Sequence, residues 1–109
     1  MIFVREDFKR ISQLSEEQAQ SEMQEYIAWV EELAASGNFV GGDPLEEEGR
    51  WMTADTVQSD GPFIEAKEAI SGYTLIRAEN LDAAEALARK CPIFKYGGVL
   101  EVRPIMKYG

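Results

Sequence analysis

The residues best placed to do chemistry lie in one short stretch. Asp60-Gly61-Pro62-Phe63 is followed by Glu65, Lys67 and the strand-like Gly72-Tyr73. A carboxylate at Asp60 can bind a polar group or act as an acid or base. Tyr73 can donate a hydrogen bond beside it, and Phe63 can supply an apolar wall. Glu65 and Lys67 can orient a polar substrate. The candidate set is Asp60 for catalysis, with Gly61, Pro62, Phe63, Glu65, Lys67 and Tyr73 for ligand binding. Each has a plainer reading. An Asp before Gly-Pro bonds nearby backbone N–H groups and fixes a turn. Glu65 and Lys67 read equally as the solvated side of a helical turn. On sequence alone both readings stay open.

Other chemistry is thinly supplied. Asp43, beside Gly41-Gly42, offers a second carboxylate, and paired carboxylates can do acid–base work, but no spacing brings it to Asp60. The chain has no histidine, which removes Ser-His-Asp and Cys-His catalysis and the commonest metal ligand. Cys91 falls on an apolar stripe at a helix C-terminus, where the dipole opposes a thiolate, so it reads as core. Tyr26, Trp29 and Trp51 could line a cavity. Trp29 lies off the main helical stripe and is expected to meet a loop or a partner chain. Glu46-Glu47-Glu48 reads as a solvated loop. Neither a calcium-loop spacing, a phosphate loop nor a dinucleotide fingerprint appears, so no metal or cofactor is expected.

Composition narrows the class. With 109 residues, 45% of them apolar, the chain reads as one domain over 1–109 with a core of its own. Twenty acids against 11 bases give a net charge of −9. Lys and Arg form no cluster, which argues against nucleic acid and anionic membrane surfaces. A single cysteine, too few residues before Arg5 for a signal-peptide core, and no apolar run of membrane length make a cytoplasmic location the simplest expectation.

Patterning then supplies the elements that must position these groups. Ile2-Phe3-Val4-Arg5 reads as a strand. Ser15 with Gln18 forms a capping box, and Ala19, Met23, Tyr26, Ile27, Val30, Leu33 and Ala34 form a helical stripe that Gly37 ends. Gly41-Gly42-Asp43-Pro44 reads as turn. Residues 51–54 and 56–58 read as the arms of a hairpin or an extended loop, and 64–70 as a turn or two of helix behind Pro62. Residues 72–78 are the clearest strand. Asn80 caps a second helix, with Leu81, Ala84, Leu87, Ala88 and Cys91 as its stripe, and Pro92 stops it. Residues 94–98 read as loop and 99–106 as a last strand with Pro104 at an end or edge. The order β–α–hairpin–β–α–β predicts an α+β, ferredoxin-like βαββαβ fold with an inserted hairpin.

Both faces of that sheet carry apolar residues. Tyr73 and Leu75 oppose Thr74, Ile76 and Ala78, and Leu100, Val102 and Met106 oppose Val99 and Ile105. Two helices cover only one face, so a second copy is expected on the other. The alternative cover is the Trp51 hairpin folded across it.

The run Asp60-Gly61-Pro62-Phe63 with Glu65, Lys67 and Gly72-Tyr73, and the ending Leu100-Glu101-Val102-Arg103-Pro104-Ile105, resemble the DGPF-type, YCII-related family over nearly the whole chain. The resemblance implies a homodimer of the dimeric α/β-barrel type. The better-studied branch has a His–Asp pair proposed as catalytic. With no histidine here, only Asp60 could match its acidic half. The sequence therefore suggests a homodimeric domain binding a small ligand near the Asp60-Gly61-Pro62-Phe63 turn. The alternatives are an enzyme using Asp60 as acid or base, and a protein-interaction domain without ligand.

Overall fold

The computed structural model describes residues 1–59 and 69–107. The chain runs β1 (Ile2–Glu6), α1 (Phe8–Ser12), α2 (Glu16–Ala35), β2 (Phe39–Pro44), β3 (Arg50–Met52), β4 (Val57–Ser59), β5 (Ala69–Ile76), α3 (Leu81–Ala88), a 3₁₀ turn (Pro92–Tyr96) and β6 (Val99–Val102). Four strands form an antiparallel sheet in the order β2-β5-β1-β6. Each βαβ unit is split by a strand of the other: β5 lies between β1 and β2, and β1 lies between β5 and β6. This is the ferredoxin-like α+β arrangement.

Local chemistry explains the helices. The Gln18 N–H bonds Ser15 Oγ at 3.1 Å, and the Ser15 N–H bonds Gln18 Oε1 at 3.1 Å, closing the capping box on α2. Gly37 follows the helix with φ 79°, the left-handed conformation a C-terminal stop requires. Asn80 Oδ1 accepts the Ala83 N–H at 2.8 Å and starts α3.

The core lies between the sheet and the two long helices. Ile2 and Val4 of β1 pack with Trp29 and Leu33 of α2, Ala88 of α3, Cys91 and Ile93. Leu100 and Val102 pair with Val4 and Ile2 and share that face. By alternation Phe3, Tyr73, Leu75, Val99 and Glu101 belong to the opposite face.

Several expectations are corrected. Gly41–Pro44 is not turn but the body of edge strand β2, paired in register with β5 from Gly41↔Leu75 to Pro44↔Gly72. The expected 51–58 hairpin is present, with β3 and β4 pairing as a two-stranded sheet of their own. It does not fold over the open face in a way that hides its own apolar residues, since Met52 and Val57 stay exposed at 68% and 59%. Ala69 and Ile70, expected at the end of a helical turn, open β5. Pro92–Tyr96 forms a 3₁₀ turn that overlaps residues 94–98, where loop is expected, and β6 ends at Val102, short of Met106. Trp29 is not a loop or partner contact: it is 4% exposed in the core, and its indole N–H bonds the Leu87 carbonyl at 3.1 Å. Helix α1, capped by Asp7, had no counterpart in the sequence reading.

Close strand approach decides why β2 contains Gly42. A Cβ there would lie 2.6 Å from the Tyr73 carbonyl oxygen and 3.0 Å from Thr74 Cα, both backbone atoms that cannot swing aside. Gly42→Ala is expected to cost on the order of 1–3 kcal/mol, as overpacking does. The check is a thermal melt, which should fall by several degrees.

Candidate functional site

A cavity of about 460 Å³ opens on the helix-covered side, between α2 and the β2–β5–β1 half of the sheet. Its walls are largely apolar. Phe8, Ile11 and Leu14 come from α1 and its exit, Met23, Ile27 and Val30 from α2, Phe39 from β2, and Ile93 from the 3₁₀ turn. Helix α2 thereby faces two environments. Trp29 and Leu33 are buried, whereas Met23 and Ile27 remain 51% and 45% exposed. The half of the stripe that faces the cavity is not filled by core.

Polar groups are few and clustered. Glu6 ends the inward-facing series Ile2, Val4, Glu6 on β1. The register of β1 with β5 steps from Val4↔Gly72 to Arg5↔Ile70, so Ser71 is an extra residue at a β-bulge. Bulges re-aim side chains, and here Ser71 Oγ donates to Glu6 Oε1 at 2.6 Å. Among the described residues, nothing donates a hydrogen bond to the other Glu6 oxygen. Burial pushes the Glu6 carboxyl above the usual carboxylate range. The Ser71 hydroxyl opposes that rise, the nearby Glu22 adds to it, and Arg10 reduces it.

Around the opening, Arg10 holds Glu22 through two bonds of 3.1 and 2.7 Å and lies 4.8 Å over the Tyr96 ring. Tyr96 in turn donates to Glu25 Oε1 at 2.7 Å, and Lys95 pairs with the same carboxylate. These contacts tie α1, α2 and the 3₁₀ turn together. Deeper in, the Tyr26 hydroxyl meets Thr74 Oγ1 at 3.1 Å, and burial raises the phenol above its ordinary value. Cys91 is buried and its thiol is pushed up to about 11, chiefly by desolvation, so it is a packing residue as expected. No three His, Cys, Asp or Glu among the described residues gather closely enough to hold a metal ion.

Residues 1–108 match the family model of the YCII-related domain. The chain belongs to the YCII-related family. No curated protein matches it. Among the described residues of this YCII-related domain, no helix is long and apolar enough to cross a membrane.

Of the residues singled out in the sequence, Asp60, Gly61, Pro62, Phe63, Glu65 and Lys67 lie outside the described residues. Tyr73 is on β5, and its hydroxyl donates to Asp43 Oδ2 at 2.7 Å across the β2–β5 pair, which raises the phenol. Asp43, read alone as a second carboxylate, is thus the acceptor for Tyr73. Tyr26 does border the cavity, while Trp29 does not. The YCII-related domain also presents groups that sequence reasoning missed: Glu6, Ser71, Arg10, Glu22 and Tyr96. For Glu6 the signal was available, because Ile2-x-Val4-x-Glu6 puts a carboxylate on the buried face of a strand.

Proposed function

We propose that this YCII-related domain is a homodimeric small-ligand-binding protein, with the ligand seated between α2 and the sheet. The observation that carries the reading is the cavity of about 460 Å³, within the roughly 300–1,000 Å³ usual for small-molecule sites. Its composition supports the same reading. Apolar walls supply affinity by burial, and a few convergent polar groups, Glu6, Ser71 and Tyr26, supply orientation.

The second copy is proposed on the open sheet face. Phe3, Tyr73, Leu75, Ile70 and Val99 stand there, the last two exposed at 38% and 49%. The face also carries the ion pair of Arg5 with Glu101 at 3.3 Å. A second copy related by a twofold axis, the commonest symmetry of soluble oligomers, would cover such a patch with its own.

The cavity is tested with N-phenyl-1-naphthylamine, a neutral dye whose emission rises in apolar sites. Wild type is expected to bind it saturably. Met23→Trp puts a larger side chain into the cavity from an exposed position, so the fold should survive. It is expected to weaken dye binding at least tenfold, with the far-UV circular dichroism unchanged. Equal binding by the variant would place the dye elsewhere and remove the main support for the reading.

A further inference from the structure

Resting on the reading of the cavity as a ligand site, we propose that its ligand class is the small hydrophobic amine, held by its ammonium group on Glu6. The described lining of the cavity is charged in one sign only, with Arg10 outside it on Glu22. Among its described lining residues are four carboxylates, Glu6, Glu22, Glu31 and Asp43, and no Lys or Arg.

Three of these are poor anchors. Glu22 is held bidentately by Arg10. Asp43 pairs with Tyr73 and takes its hydroxyl, so its carboxylate belongs with Tyr73 to the open face of the sheet. Glu31 sits on the exposed side of α2. Glu6 differs from them. No described Lys or Arg forms an ion pair with it, and its one hydrogen bond, from Ser71, occupies one oxygen. The bulge at Ser71 fixes that carboxyl's orientation and leaves the second oxygen for a guest.

A half-buried carboxylate with no bonded cation, and only Arg10 acting on it from a distance, is unfavourable, and a cationic guest relieves that cost. An anionic guest would meet like charge in a low-dielectric site, and a neutral one would leave Glu6 uncompensated. The remaining walls ask for a hydrocarbon body. Phe8, Met23, Ile27 and Phe39 surround the space with apolar side chains.

The groups facing Glu6 set how this recognition responds to pH. Ser71 faces it from β5, Glu22 from α2 and Arg10 from α1, while Tyr26 and Cys91 lie close enough to feel its charge. Glu6 ionises at higher pH than an ordinary carboxyl, so amine binding weakens as pH falls through that raised range. It is full above that range while the amine stays protonated.

The test uses three compounds of one shape: 2-aminoindane, 2-indanol and indane-2-carboxylate, titrated calorimetrically into the whole protein at pH 7.5. The amine is expected to bind at least tenfold tighter than the alcohol, and the carboxylate weakest. In Glu6→Gln the amine and the alcohol should bind within threefold of each other. Glu47→Gln, on an exposed residue away from the cavity, should keep the preference. If the alcohol binds and the amine binds no tighter, the amine inference fails and the cavity reading survives. A preference that persists in Glu6→Gln overturns the role of Glu6. If none of the three binds, both the inference and the cavity reading fail. Should Glu6→Gln not fold, the wild-type profile decides: an amine preference that does not decline on acidification contradicts the proposal.

Discussion

Trp29→Ala is expected to destabilise the protein by about 3–5 kcal/mol, the usual cost of truncating a buried aromatic. Trp29 is 4% exposed and packs with Leu33 and the core of β1 and α3. It also stacks at a tilt on Tyr26, with ring centroids 5.4 Å apart. Its indole N–H donates to the Leu87 carbonyl near the end of α3, which also accepts the Lys90 N–H at 3.4 Å, so truncation leaves a void and removes one of that acceptor's bonds. Domains of this size have total stabilities of only about 5–15 kcal/mol, so the loss is a large share of the whole. Urea denaturation is the check: with slopes of about 1–3 kcal/mol/M, the midpoint should fall by roughly 1 M or more. A fall of only a few tenths of that would mean Trp29 meets a loop or a partner, the placement its off-stripe position in the sequence suggested.

A second large effect is expected at the open sheet face. Wild type should scatter light as twice the 12.2 kDa chain. Lysines at Ile70 and Val99 together should return it to a single chain with unchanged circular dichroism. Both residues flank Arg5 on that face, through the pairs Arg5↔Ile70 and Arg5↔Val99. Two lysines beside that arginine would put three cations in one row, facing the same row across the twofold. Desolvating like charges is far more costly than the lost apolar burial. A wild-type mass of one chain at tens of micromolar would remove the homodimer from the account.

The parts of the fold legible in sequence were those decided by local chemistry. Ser15 with Gln18, Asn80 and Gly37 set helix ends through bonds and backbone angles that need no tertiary partner, and these ends stand where they were read. Gly41–Pro44 reads as turn in the sequence because Gly-Gly-Asp-Pro is turn composition. What makes it a strand is the close approach of β5, which only a glycine at position 42 admits. Trp29 was misread for a related reason. The buried face of α2 is not the stripe alone: Trp29, beside it, joins Leu33 in the core, while Met23 and Ile27 of the stripe face the cavity, and periodicity does not tell which positions the core takes.

The same limit governed the site. Asp60 and Phe63 drew notice as a compact motif in sequence. Glu6 and Ser71 lie 65 positions apart and meet only because β1 and β5 are neighbours with a bulge between them. Tyr73 and Asp43 were each noticed, but their bond depends on strand register, which a turn reading of residues 41–44 does not supply. Arg10, Glu22 and Tyr96 come from three elements, two of them, α1 and the 3₁₀ turn, not anticipated from sequence.

The most direct test of the ligand reading is a methyl-resolved NMR titration of the protein with 2-indanol, observing the Ile, Leu and Val methyls. Shifts are expected at Ile11, Ile27, Val30 and Ile93, which line the cavity, and not at Ile70 or Val99 on the opposite face of the sheet. Shifts confined to the cavity methyls and saturating together would establish the site. Shifts at Ile70 and Val99 with the cavity methyls silent would contradict it, and would place ligand recognition on the open face instead.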